Sequence, residues 1–302
     1  MRSLTFHWLD VFTPDGGGGD PLVVIEAADA LELDAMRAIA EEFGVGATVF
    51  LLEPRDPAQS ARLRAFTPTG ERVAAGAPLV GAAALVAQLR APELLGRHGV
   101  ALMIENGDDL FACDVRKTRD GAVYAAAVAA IPPRPAVATE PAPTLAAALS
   151  LDADAIGFGA HAPAIGGSTR RFLFAPVVNG AALARARPRE PQFARLHDSV
   201  AGVCLYTSDV IDPVSAVDMR ILWCDNDAET PRAPDDAMIA FAAIAAEFER
   251  PENGEHELVI DRREASGRRA RTTLSMSIAA GALVAVSAGG RVRRFGEGVL
   301  RL

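Results

Sequence analysis

Two stretches constrain this 302-residue chain more than any other: PLVGAAALVAQL at 78–89 and AMIAFAAIAAEF at 237–248. Each is long enough for a helix and apolar on almost every side, so neither has a face to offer solvent. Such a helix must be enclosed, and its flanks say by what. Strand patterns rich in β-branched and aromatic residues lie at 4–12, 21–26, 47–52 and 61–67, before a helix predicted over 78–90. Others follow it near 99–104, 109–115 and 122–128. The second helix is preceded by strand patterns near 171–177, 202–207 and 217–223, and followed by 256–262, 271–278, 282–288 and a short last one at 298–302. LDAMRAIAEEF (33–43) has its apolar residues at helical spacing and ends at Gly44.

The same order therefore occurs twice: strands, a Pro/Gly-containing loop, a buried helix, strands. Between the copies, IPPRPAVATEPAP (131–143) carries five prolines in thirteen residues, a linker composition. The order predicts an α+β fold of two pseudo-symmetric domains, each a sheet wrapped around one central buried helix. The first half spans 1–130 and is completed by the last strand at about 293–302; the second spans 144–292. A dinucleotide-binding sheet is a poor match, because strict β-α alternation and a G-x-G-x-x-G after the first strand are both missing.

Composition removes several function classes. A formal net charge of −9 argues against a general nucleic-acid binder, which needs a basic face to neutralise phosphates. No apolar run reaches the roughly 18 residues of a membrane span. The opening MRSLTFHWLDVF lacks the apolar core and cleavage site of a secretory signal, so a soluble cytoplasmic protein is expected. Cys113, Cys204 and Cys224 show no C-x-x-C spacing, which fits a reducing compartment. His161, His197 and His256 have no ligand spacing, so no metal is assigned. The four glycines 16–19 are read as a flexible hairpin end rather than a phosphate loop, since no helix follows them.

The loop before the first buried helix, RAFTPTGERVAAGAPLVGAA (64–83), has the build of a cradle for a small anion. Pro78 stands where a helix's first turn tolerates proline, and the helix N-terminus favours negative charge. The rim, however, is Ala74, Ala75 and Ala77, which carry no chemistry.

Seven segments resemble, in order, the PhzF-like proteins of the phenazine-biosynthesis isomerase family, which have the diaminopimelate epimerase fold. They are LDVFTPDGGGGDPLVVI (9–25), where that family has a Gly-Gly-Asn-Pro-Leu turn, MRAIAEEFGVGATVFL (36–51), the 64–83 loop, RRFLFAPV, CLYTSD, MRILWCDNDAETPRA and ASGRRAR. The resemblance implies two domains of mostly antiparallel sheet, an active site in the cleft between them, a homodimer, and cofactor-free proton transfer on small carboxylates. It also implies where that chemistry should sit. The family's acid/base glutamate falls on Ala47 and its histidine on Ala77, while its aspartate falls on Asp227, which is kept. A Gly-Ser that follows the aspartate becomes Pro231-Arg232 after Thr230, and a Gln-Gly further on becomes Arg262-Arg263.

An alanine methyl cannot move a proton. The candidate site is therefore Asp227 as the one catalytic group, with Gly70, Gly76, Ala77, Pro78, Thr230 and Arg232 around a small carboxylate. Two readings stay open. One is a divergent isomerase in which Asp227 and groups such as His7, Asp10 or Arg232 replace the usual set. The other is a non-catalytic relative that binds a ligand or partner and keeps the fold and dimer. Cys224 is read as a buried strand residue and His7 as structural by default.

Overall fold

The computed structural model describes residues 3–15, 17–67, 70–138, 140–168, 170–196, 200–224, 234–264 and 266–302. Its contacts divide the chain into two units. Among the described residues, one comprises 3–129 with 288–302, and the other 130–224 with 234–287.

The first unit contains β1 (Ser3–Val11), β2 (Asp20–Ile25), α1 (Leu33–Phe43), β3 (Ala47–Leu52), β4 (Ala61–Thr67), β5 (Gly70–Arg72), α2 (Ala77–Arg90), α3 (Pro92–Arg97), β6 (Val100–Asn106), β7 (Asp109–Lys117) and β8 (Val123–Ala129). The second has β9 (Ala136–Val137), α4 (Ala142–Ala148), β10 (Ala164–Gly166), β11 (Phe172–Pro176), α5 (Gly180–Arg185), β12 (Gly202–Thr207), β13 (Val217–Trp223), α6 (Pro234–Glu249), β14 (Gly254–Arg263) and β15 (Arg269–Ala279). The last strand, β16 (Ala282–Arg301), gives residues 282–287 to the second unit and 288–301 to the first.

In the first unit the strands pair in the order β1-β2-β3-β4-β6-β7-β8-β16, and β16 pairs again with β1, which closes the sheet. Inside it lies α2, touching β1, β2, β3, β6, β7 and β8, with every residue from Ala77 to Ala87 buried. Its small side chains allow that enclosure. At Gly81 a Cβ would lie 2.4 Å from Leu22 Cδ2 and 2.8 Å from Val11 Cγ2. On the outer side of β1–β4, α1 packs Met36, Ile39 and Ala40 against Val23, Ile25, Phe50 and Phe66, and Phe43 meets the edges of Phe6 and Trp8.

The second unit repeats the scheme in its pairing pattern. β2/β3 and β4/β6 are parallel while their neighbours are antiparallel, and β11/β12 and β13/β14 are parallel in the same relative places. A helix bridges each parallel pair, as parallel strands require. α6 is the counterpart of α2, and its Phe241 packs on Phe174 and Tyr206.

One expectation is corrected. The strands predicted at 282–288 and 298–302 are parts of a single strand of 20 residues. The intervening glycines read as breaks, but they mark close approaches. A Cβ on Gly289 would lie 2.6 Å from Ala126 Cβ and 2.8 Å from Ala125 O, and one on Gly298 would lie 2.6 Å from the Phe6 ring.

β13, β14 and β15 also carry buried charge. Asp261 is fully buried and accepts from Arg269 Nη2 at 2.5 Å and Arg271 Nε at 2.9 Å, while Arg271 also pairs with Asp212. Asp218, equally buried, accepts from Arg263 Nη2 at 3.3 Å and the Ile211 N–H at 3.4 Å. Burial outweighs those partners and raises the Asp218 pKa above the ordinary 3.8. A raised carboxylate pKa means the folded state holds this proton more tightly than the unfolded chain. Charging Asp218 therefore costs stability as pH climbs from the unfolded value through the folded one. Asp218→Asn, always neutral, is expected to gain on the wild type in urea unfolding as pH rises above the ordinary carboxylate value and through the raised folded one; a variant that loses ground over that rise would reverse the sign.

Candidate functional site

The end of the first unit at which α2 begins is built from strand register. Leu9, Val11 and Leu22 all reach Gly81, so these positions of β1 and β2 face the enclosed helix. Directly opposed residues of paired strands share a face. Asp20 is opposite Val11, and Ala47 is opposite Leu22, so both belong to the inner face. The direction along the strands is also defined. Glu26, Leu51 and Leu52 share a cavity with Val86, Leu89 and Arg90, at the far end of α2. Asp20 and Ala47, at the other ends of β2 and β3, therefore lie toward the first turn of α2.

That turn is entered through Gly76, whose φ of 54° and ψ of −120° suit glycine. No side chain caps it. The first intrahelical bond runs from the Val80 N–H to Gly76 O at 2.8 Å. Pro78 has no N–H, so Ala77 and Leu79 bear the turn's amide donors that no helical carbonyl takes up. With the helix dipole behind them, these donors suit an anion. Ala47 and Ala77 are each 6% exposed and present only methyls. Gly70 is half-buried on β5, with open space where a Cβ would stand. Asp227, Thr230 and Arg232 lie outside the described residues.

Two groups that the sequence reading offered as replacement acid/base groups, His7 and Asp10, are directed elsewhere. His7 Nε2 and Glu26 Oε1 are 2.6 Å apart, which ties His7 to the end of α2 bearing Leu89 and Arg90. Asp10, one residue from the inward-facing Leu9 and Val11, is on the opposite face and accepts from Arg293 Nη2 at 2.6 Å. Two of the thiols, Cys113 and Cys204, are buried and resist ionisation. Burial, helped by Asp114, pushes the Cys113 pKa up to about 12, and burial holds Cys204 well above its ordinary value. His161 is stacked on Phe158 and shares a 3.0 Å hydrogen bond with Tyr206 Oη, and burial lowers its pKa. Among the described residues no group of three or more His, Cys, Asp and Glu is placed to hold a metal, and no helix is long and apolar enough to cross a membrane.

Asn106 escapes the sequence reading, and Arg262 enters it only as a replacement, without its burial. Asn106, 2% exposed, donates from Nδ2 to Ala74 O at 2.8 Å and so fixes the approach to α2. Nothing in IENGDD announces this, since Asn-Gly reads first as a turn. Arg262 is 4% exposed on the face of β14 that also buries Leu258 and Ile260, and it donates to Glu264 Oε1 at 2.9 Å. Its signal was the alternation of apolar residues at 258 and 260, which continues inward to 262.

Strands closed around a buried helix, and a second set of strands with the same pairing pattern, define the diaminopimelate epimerase-like fold class. A family profile described as phenazine biosynthesis-like protein matches residues 9–215. An uncharacterized isomerase of Mesorhizobium japonicum is 30% identical over 311 residues, covering 99% of both chains. A trans-2,3-dihydro-3-hydroxyanthranilate isomerase of Pseudomonas chlororaphis is 39% identical over 75 residues, which is 25% of this chain and 27% of that one. The crystal structure of a Bacillus anthracis phenazine biosynthesis protein of the PhzF family superposes with a TM-score of 0.83 at 20% identity, covering all of both chains. The chain belongs to the phenazine biosynthesis-like (PhzF) isomerase family.

Proposed function

We propose that this protein binds a small organic carboxylate at the first turn of α2, and that positions 47 and 77 take no part in any proton transfer there. One observation carries the reading: amide donors of Ala77 and Leu79 stand beside two positions that bear only methyl groups. The donors supply an anion site that needs no ionisable side chain. The methyls supply neither an acid nor a base. Support for the ligand class comes from the Pseudomonas chlororaphis relative, whose name specifies an isomerase of a hydroxyanthranilate, a small ring carboxylate.

The test is a thermal-shift screen with 3-hydroxyanthranilate, proline and small dicarboxylates. A ligand that binds only the folded state stabilises it by RT ln(1 + [L]/Kd), about 2.7 kcal/mol at a hundredfold excess over Kd. Ala77→Asp places a fixed negative charge at the same helix end, which the dipole tolerates. It should keep the fold and abolish the ligand-dependent rise. Absence of stabilisation by any compound, or a full rise in Ala77→Asp, would contradict the reading.

A further inference from the structure

We propose that Asp20 is the proton-transferring carboxylate of this site, acting from β2 where β3 offers only Ala47; this rests on the carboxylate-binding reading above. Asp20 is the first residue of β2 and pairs with Val11, whose side chain touches the enclosed helix at Gly81. It therefore presents its carboxylate on the inner face. Leu22, two residues further along that face, is the partner of Ala47. Asp20 and Ala47 are thus diagonal neighbours, with Cα atoms about 8 Å apart by strand geometry. Asp20 is half-buried, so it faces the enclosed helix while keeping access to solvent.

The approach of the chain supports this placement. Gly17, Gly18 and Gly19 all have φ between 90° and 108°. At Gly19 a Cβ would stand 2.5 Å from Val11 O and 2.9 Å from Thr13 Oγ1. The loop is therefore pressed onto the end of β1, which fixes where β2 and its first side chain begin. Gly17, Gly18 and Gly19 thus have a place on the end of β1 rather than in open solvent. The other described carboxylate of this strand pair, Asp10, points to the opposite face and is held by Arg293.

The step balances without a co-reactant. The substrate is a carboxylate with a C–H bond next to an unsaturated carbon. An Asp20 oxygen takes that proton, the C–H electron pair moves into the adjoining π system, and the amide donors at the start of α2 hold the substrate's carboxylate. The proton then returns from Asp20 to the same carbon or to the far end of the π system. Nothing is oxidised or reduced, and Asp20 ends as it began. General acid–base catalysis of this kind contributes roughly 10²–10⁴-fold.

The probes are 3-butenoate, in which the transfer moves a double bond, and trans-2,3-dihydro-3-hydroxyanthranilate, followed by deuterium incorporation from D2O using NMR. The wild type is expected to incorporate deuterium. Asp20→Asn, of the same size and shape, should bind the probe with an unchanged thermal shift while exchange falls by roughly 10²-fold or more. Asp20→Glu should recover part of the rate, and Asp15→Asn, altered on the exposed neighbouring loop, should match the wild type. Exchange that persists in Asp20→Asn overturns the proposal, as does binding of a probe with no exchange in the wild type. Should neither probe bind, the carboxylate reading itself fails, and the assignment of Asp20 fails with it. If Asp20→Asn is unfolded by circular dichroism, the Asp20→Glu rate decides: exchange equal to the wild type at every pH would contradict a role for the aspartate.

Discussion

Asp261→Ala is expected to destabilise the second unit by about 3–5 kcal/mol, the range for removing one partner of a buried ion pair. Asp261 is fully buried, and three guanidinium hydrogen bonds from Arg269 and Arg271 end on it. Burial alone would raise its pKa, but those two arginines outweigh it and hold the carboxyl below the ordinary value. The folded protein thus favours the ionised form, and the stability is present above the unfolded pKa and lost as pH falls through the folded one. This is the opposite sign to Asp218, its direct pairing partner on β13. The alanine variant removes the Asp261 carboxylate from Arg271, 13% exposed at its side chain, while its pairing with Asp212 stays. Urea unfolding followed by tryptophan fluorescence measures the loss, and Trp223 on β13 reports on this unit. A change below about 1 kcal/mol would place the pair with ordinary surface bridges.

Gly289→Ala should destabilise the first unit by about 3 kcal/mol, the upper part of the overpacking range. The added carbon would lie 2.6 Å from Ala126 Cβ, 2.7 Å from Tyr124 Oη and 2.8 Å from Ala125 O. Two of these belong to rigid parts of β8 and cannot swing away. The strand pair concerned, β8–β16, is one of those that close the sheet around α2. Gly296→Ala, on the same strand with open space at its Cβ, is the control and should change stability little. Equal melting temperatures for the two variants would contradict the packing described.

What was legible in the sequence follows from the strength of the local signal. LDAMRAIAEEF is expected over 33–43 and α1 spans Leu33–Phe43, because its apolar spacing and Gly44 agree. The helix expected over 78–90 is found at Ala77–Arg90, since an all-apolar stretch between Gly-Ala-Pro and a charged end has few alternatives. Short helices such as α4 and α5 carry too few turns for a periodicity and were missed. The glycines of β16 signal a break locally, and only the neighbouring strand shows that they are contact points. At the site, the alanines at 47 and 77 are readable in the sequence as residue types. The inward face of Asp20 was not, because it depends on pairing with Val11 across a loop, and a one-residue slip would turn it outward. The same holds for His7, whose strand borders the site but whose side chain serves the other end of the helix.

The most direct measurement of the central claim is an amide NMR titration of the protein with 3-hydroxyanthranilate. Carboxylate binding at the start of α2 predicts saturable shifts centred on the Ala77 and Leu79 amides, extending to Asp20 and Ala47, and lost in Ala77→Asp. Saturable shifts elsewhere with those amides unmoved would show that the ligand sits at another place, and would contradict the account.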